Sequence, residues 1–280
     1  MEIKAKKDRF LLVVVITLIM LGVLLPVTFF MACTPSSTKD NLPDNLLSDG
    51  SAIEVSLPVI DMNIPEHTET TTFALGCFWA PDSRFGSIDG VVSTRVGYAG
   101  GDSNNPTYHN LDGHSETIQI NFDLGMISYQ ELLDIFWDNH NPTLQAWSKQ
   151  YRSIIFYHDD EQRELAVGSR QSREVVLGRE IFTEVVPFSE FYLAEDYHQK
   201  YYLMREEIIL QDLRSIYPII DGFIASTAVA RINGYVGGFG DHEILSNELD
   251  SLGLSEAGKM ALLDIADRGL VSGCAVPESG

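Results

Sequence analysis

Apolar residues at 129, 132, 133, 136 and 137 recur at the spacing of a helix face, with Ser128 before them and Glu131 three positions on as a capping pair. This spacing predicts a helix over 129–140. Residues 70–75 are β-prone and end at Gly76; Cys77-Phe78-Trp79-Ala80-Pro81 then leads into a helix start over 82–85, because proline is admissible only in a first turn. A second strand at 91–98 closes on Gly100-Gly101, and a third follows at 115–122 after a loop of Asn, Pro, Gly and Asp. Further on, the pattern predicts strands at 153–157 and 182–187, a charged helix at 159–177, a helix rich in Tyr and His at 195–205, and a helix at 255–267. Strands and helices interleave without long β-α-β regularity, which predicts an α+β two-layer sandwich with helices packed on a mixed sheet. After 221 the chain is less legible, with a Gly-rich stretch at 234–240 and a small-residue tail around Cys274.

The N-terminus reads differently. Lys4, Lys6, Lys7 and Arg9 precede residues 10–32, which carry no charge and are apolar all round, so residues 1–33 read as a signal peptide or membrane anchor. Phe30-Met31-Ala32-Cys33 resembles a bacterial lipoprotein signal, which makes Cys33 a lipidation candidate. Without cleavage the run is a single-pass anchor with its basic end in the cytoplasm. Either way the rest of the chain is expected to be membrane-anchored and extracytoplasmic, in a periplasm or at the cell surface. Residues 34–69 read as a flexible linker, 70–240 as the folded domain and 241–280 as a C-terminal extension carrying Cys274.

Charge narrows the function. The 19 Lys and Arg against 40 Asp and Glu give a formal net charge of −21, which repels phosphate backbones and argues against nucleic acid as a partner. Three cysteines, Cys33, Cys77 and Cys274, are too few and too scattered for a disulfide scaffold or an all-cysteine zinc site, and no metal site is expected. Cys77 follows a strand and opens a helix, where unpaired N–H groups and the helix dipole favour thiolate. That is a nucleophile's position, although a buried free cysteine is as often a small hydrophobe. Of the adjacent aromatics Phe78 and Trp79, one is expected to wall a shallow apolar pocket beside the sulfur. Glu116 shares its strand face with Ile118, Ile120 and Phe122, so burial is expected to raise its pKa and suit it to general-acid work; a strand-end Glu reaching solvent is the alternative. His114 reads as a turn residue and His198 as packing or support.

Gly76-Cys77-Phe78-Trp79, Val96-Gly97-Tyr98, Asn105-Pro106-Thr107-Tyr108, Gly113-His114-Ser115-Glu116, Gln150-Tyr151-Arg152-Ser153 and Ala194-Glu195-Asp196-Tyr197-His198-Gln199 occur in the order and rough spacing of A-type peptide methionine sulfoxide reductases. The chain resembles that family from about residue 72 to 201. The resemblance implies a ferredoxin-like core and a thiol-dependent reduction of methionine S-sulfoxide in proteins. In it Cys77 attacks the sulfoxide sulfur, Glu116 protonates the oxygen, Tyr108 and Tyr151 hydrogen-bond that oxygen, and Phe78 and Trp79 hold the methyl group. The sulfenic acid left on Cys77 then needs a second thiol, with Cys274 as the resolving candidate and a thioredoxin-like protein as external reductant; no bound cofactor is expected. Two departures stand out. Where the family has an acidic residue before the tyrosine, Ala146-Trp147-Ser148-Lys149 supplies none, and where it has glycine after the first motif this chain has Ala80. A cysteine hydrolase pairing Cys77 with His114 or His198, and a non-catalytic anchored binding lipoprotein, are the competing functions.

Overall fold

The computed structural model describes residues 56–63 and 65–269, so the expected anchor, most of the linker, Cys33 and Cys274 lie outside the described residues. Among the described residues six strands form one sheet: β1 Thr68–Leu75, β2 Val91–Ala99, β3 Ser115–Asp123, β4 Ser153–Tyr157, β5 Glu184–Pro187 and β6 Phe191–Leu193, in the order β5-β4-β1-β3-β2-β6. β4 and β5 pair in parallel and the other neighbours antiparallel, so the sheet is mixed. A short helix, α1 Val59–Met62, precedes β1; α2 Trp79–Gly86 joins β1 to β2, and α3 Tyr129–Asp138 lies between β3 and β4. The four central strands therefore run 4-1-3-2, the interleaved β-α-β order of a ferredoxin-like core.

One face of the sheet carries the main core. Phe73, Ile118, Ile120 and Phe122 pack against Leu132, Leu133 and Phe136 of α3, Phe85 of α2 and Ala166 of α4 Asp160–Leu177. The pattern placed α3 correctly because its cap forms as expected: the Glu131 N–H donates to Ser128 Oγ (3.2 Å) while Ser128 N–H donates to Glu131 Oε2 (2.8 Å). α4 starts on Asp159, which accepts from the Gln162 N–H, and stops at Gly178, whose φ of 58° needs no Cβ to be accommodated. The other face of β3 is polar in sequence yet equally buried at Ser115, Thr117 and Gln119. Arg95 and Thr72 hydrogen-bond Gln119, and Ser115 Oγ donates to the Lys149 carbonyl, so polar pairing rather than water covers that side.

Residues 195–205 are not the helix their composition predicts. They form two short 3₁₀ turns, Asp196–His198 and Leu203–Arg205, separated by Lys200 at φ 51°. The cause is tertiary. The Gln199 carboxamide pairs with Val96 on both its N–H and its carbonyl and also donates to the Ala194 carbonyl, and the Lys200 ammonium reaches Asp82 at 2.7 Å, bonds that a regular helix would break.

Beyond β6 the described residues form five α-helices: α5 Glu207–Ile216, α6 Ile220–Ala225, α7 Thr227–Val236, α8 His242–Glu248 and α9 Glu256–Arg268. They share a second core of Leu213, Val229, Ile232, Leu245, Leu252 and Leu262. Residues 228–236 of α7 are buried without exception, the polar Arg231 and Asn233 included, which a sequence reading would have turned toward solvent. α7 packs on α2 at backbone distance: a Cβ on Gly86 would meet the Ala230 carbonyl oxygen at 2.5 Å. Residues 58–63, within the stretch read as linker, dock here as well, with Asp61 accepting from Ser226 Oγ and the Ala228 N–H at the start of α7.

Candidate functional site

β1 ends at Gly76 with φ 85°, and this turn sets Cys77 immediately before α2. Cys77 is partly buried. Phe78 at the helix N-cap contributes no side-chain cap; its N–H donates instead to Glu116 Oε2 at 3.1 Å. The carboxyl of β3 thus closes the start of the cysteine's helix, one residue from the thiol. Its other oxygen accepts from Gln150 Nε2 at 2.7 Å. Glu116 is 2% exposed, and burial raises its pKa, opposed by the hydrogen bonds from Gln150 and Phe78. Strand alternation anticipated this placement, because Glu116 shares its phase with Ile118 and Ile120.

Aromatic rings surround the pair. Phe78 is buried against Tyr98 and stands edge-on to His198, with centroids 5.1 Å apart. Trp79 stacks on Tyr201 with centroids 3.5 Å apart, and its indole N–H donates to His198 Nδ1. Tyr108 lies against the same imidazole at 4.7 Å, and its backbone N–H donates to Glu195 Oε1, while Tyr98 donates its phenol to Glu195 Oε2. Burial alone would raise the Glu195 pKa, but these two bonds bring it below the usual carboxylate value. The Tyr151 phenol is raised, first by burial and then by the neighbouring Glu116, Tyr108 and Cys77, so it stays protonated at neutral pH as a donor. Cys77, Phe78, Trp79, Tyr108, Glu116 and Tyr151 therefore converge on one place. Cys33 and Cys274 lie outside the described residues.

Residues that received no role from sequence complete the site. Gln150 holds Glu116, and the turn Lys149–Tyr151 is fixed by Ser115 Oγ at the Lys149 carbonyl and by Arg152, which also reaches Ser115 Oγ at 3.1 Å. Their presence in the Gln-Tyr-Arg-Ser motif was the available signal. Both ring nitrogens of His114 are occupied within its own loop: Nδ1 accepts from the Gly101 N–H and Nε2 donates to the Ser103 carbonyl. His198 accepts at Nδ1 from Trp79, so its proton sits on Nε2, and burial lowers its pKa. Neither imidazole offers a free lone pair to a thiol, which removes the support a hydrolase reading needs.

A cysteine, a buried carboxyl and two phenols thus share one candidate site on an α+β sandwich. A family model described as peptide methionine sulfoxide reductase matches residues 69–216. A peptide methionine sulfoxide reductase of Drosophila melanogaster is 38% identical over 230 residues, covering 80% of this chain and 91% of its own. One of Methanosarcina acetivorans is 46% identical over 151 residues, 50% of this chain and 80% of its own. Among solved structures, Mxr1 from Saccharomyces cerevisiae in reduced form aligns with a TM-score of 0.47 at 28% identity, over 51% of this chain and 88% of that one. The chain belongs to the peptide methionine sulfoxide reductase family and is an oxidoreductase of that kind.

Proposed function

We propose that the chain reduces methionine S-sulfoxide in proteins with Cys77 as nucleophile and Glu116 as acid. The observation that carries this reading is the Glu116 carboxyl, buried, raised in pKa and bonded to the backbone one residue from Cys77. A sulfoxide oxygen leaves poorly unless protonated, so thiol and acid must meet at one sulfur. Cys77 forms a bond to the sulfoxide sulfur as Glu116 gives the oxygen its proton and the Tyr108 and Tyr151 phenols hydrogen-bond it. Phe78 and Trp79 hold the methyl group. Oxygen passes to the cysteine: thiol and sulfoxide become sulfenic acid and thioether.

Recycling needs further thiols. Cys274 attacks the sulfenic acid to give a disulfide and water, and an external thioredoxin-like dithiol reduces that disulfide while becoming oxidised itself. One experiment tests both steps. In a single turnover on a methionine sulfoxide peptide without added reductant, mass spectrometry is expected to find one thioether formed per enzyme and a Cys77–Cys274 disulfide. Cys77→Ser is expected to be inactive but folded, and Cys274→Ser to stop at sulfenic acid on Cys77. Turnover by Cys77→Ser would overturn the mechanism, whereas persistent sulfenic acid in the unaltered enzyme removes only Cys274 from it.

The cell location follows from residues 1–33, whose basic start and uncharged run support anchoring with the domain outside the cytoplasm, either as an acylated lipoprotein through Cys33 or as an uncleaved span. Whole cells treated with protease are expected to lose the domain, after outer-membrane permeabilisation where one exists. A domain that stays protected and fractionates with cytosol would refute this placement.

A further inference from the structure

Trp147 is 75% exposed, an unusual position for the largest apolar side chain. It does not lack an alternative. Its neighbours Ala146 and Ser148 line a cavity of about 220 Å³ together with Leu144 and Phe182, so a half-apolar recess lies behind the loop. Trp147 does not line that recess; its indole lies on Tyr151, ring centroids 5.2 Å apart and tilted by 47°. Tyr151 in turn is within electrostatic reach of Cys77 and Glu116. The platform is therefore one ring away from the reacting atoms, and its backbone is held firm on the Tyr151 side by Ser115 and Arg152 at the Lys149 carbonyl. The occupant of that surface is constrained by the reaction. A methionine sulfoxide within a polypeptide brings neighbours whose Cα atoms are only about 3.8 Å from its own, so their side chains fall beside the site whenever the sulfoxide is seated.

We propose that Trp147 docks an apolar or aromatic side chain flanking the oxidised methionine, and so makes the enzyme selective for methionine sulfoxide in hydrophobic sequence over the isolated residue. The inference rests on the reductase reading above and adds a specificity determinant to it. Apolar burial against an indole is sequence-tolerant but rejects glycine, which leaves the platform wet, and acidic neighbours, which meet a chain of net charge −21.

The test compares kcat/KM for two substrates, N-acetyl-methionine S-sulfoxide methylamide and a pentapeptide with phenylalanine on both sides of the sulfoxide, each with dithiothreitol as reductant. The unaltered enzyme is expected to favour the pentapeptide by about tenfold, through KM more than kcat. Trp147→Ala is expected to reduce that ratio to about twofold, and Trp147→Phe to retain most of it. Any disturbance of Tyr151 lowers both substrates together and cancels in the ratio, so an unchanged ratio in Trp147→Ala overturns the proposal, as does an unaltered enzyme without preference. A defect confined to thioredoxin-driven turnover would assign the surface to the reductant and overturn it equally. If neither substrate turns over in the unaltered enzyme, the reductase reading itself has failed.

Discussion

Glu116→Gln is expected to slow sulfenic acid formation on Cys77 by about 10²–10⁴-fold, the usual contribution of a positioned proton donor. The amide keeps the volume and remains within reach of the sulfoxide, but it has no acidic proton to give to the leaving oxygen. In the unaltered protein burial lifts the Glu116 pKa, so the carboxyl keeps its proton to a higher pH than an exposed glutamate does. The rate of the sulfoxide step is therefore expected to be high at low pH and to fall as pH rises through that raised pKa, provided the nucleophile is followed separately. Glu116→Gln is expected to lose this limb of the profile along with the rate. Structural loss must be kept apart from chemical loss, because the two oxygens of Glu116 both accept, from Phe78 N–H and from Gln150. An amide can accept on one side only and presents a donor to the other, a mismatch worth about 1–3 kcal/mol in a buried site. Urea denaturation measures that cost; a single-turnover rate within about twofold of the unaltered protein would mean that another group supplies the proton.

The site was legible where its chemistry depends on local geometry. Glu116 could be placed from the two-residue period of β3, and Cys77 from the strand, glycine and proline that fix a turn before α2. Neither inference needs knowledge of what lies across the sheet. Gln150, Gln199 and Lys200 were opaque because their conformations are set by distant partners: Gln199 by Val96, and Lys200 by Asp82 and Thr94. Residues 195–205 show the consequence. Their composition suits a helix, and three buried tertiary bonds override it. After 206 the helix at 255–267 registered, as α9, whereas α7 did not: it runs into the Gly-rich stretch and buries the polar Arg231 and Asn233 along with its apolar residues.

Those tertiary bonds also make the largest stability effect expected. Lys200 is fully buried, its ammonium 2.7 Å from Asp82 Oδ1 and 2.6 Å from Thr94 Oγ1, while Asp82 Oδ2 accepts from the Lys200 N–H and from Asn233 Nδ2. Burial lowers the Lys200 pKa and the adjacent carboxylate resists that shift. The pair ties three parts of the fold to one point: the first turn of α2, the middle of β2, and α7 through Asn233, whose own carbonyl accepts from Ser83. Removing one partner leaves the other charge buried without compensation, which costs about 3–5 kcal/mol. Lys200→Met is accordingly expected to lower unfolding free energy by that amount, a large share of the roughly 5–15 kcal/mol typical of a folded domain. Asp82→Asn is expected to cost a comparable amount. The double variant Asp82→Asn/Lys200→Met is expected to be less destabilised than the sum of the two, because no isolated charge remains. Urea denaturation of the four proteins completes the cycle, and strict additivity would show that the two side chains stabilise the fold independently. Since Asp82 sits in the first turn of α2, four residues after the Glu116-bonded N-cap Phe78, whose carbonyl accepts from the Asp82 N–H, the single variants are also expected to slow the Cys77 step in protein that is still folded. A loss of stability without any change in that rate would mean that the start of α2 is held by Glu116 alone.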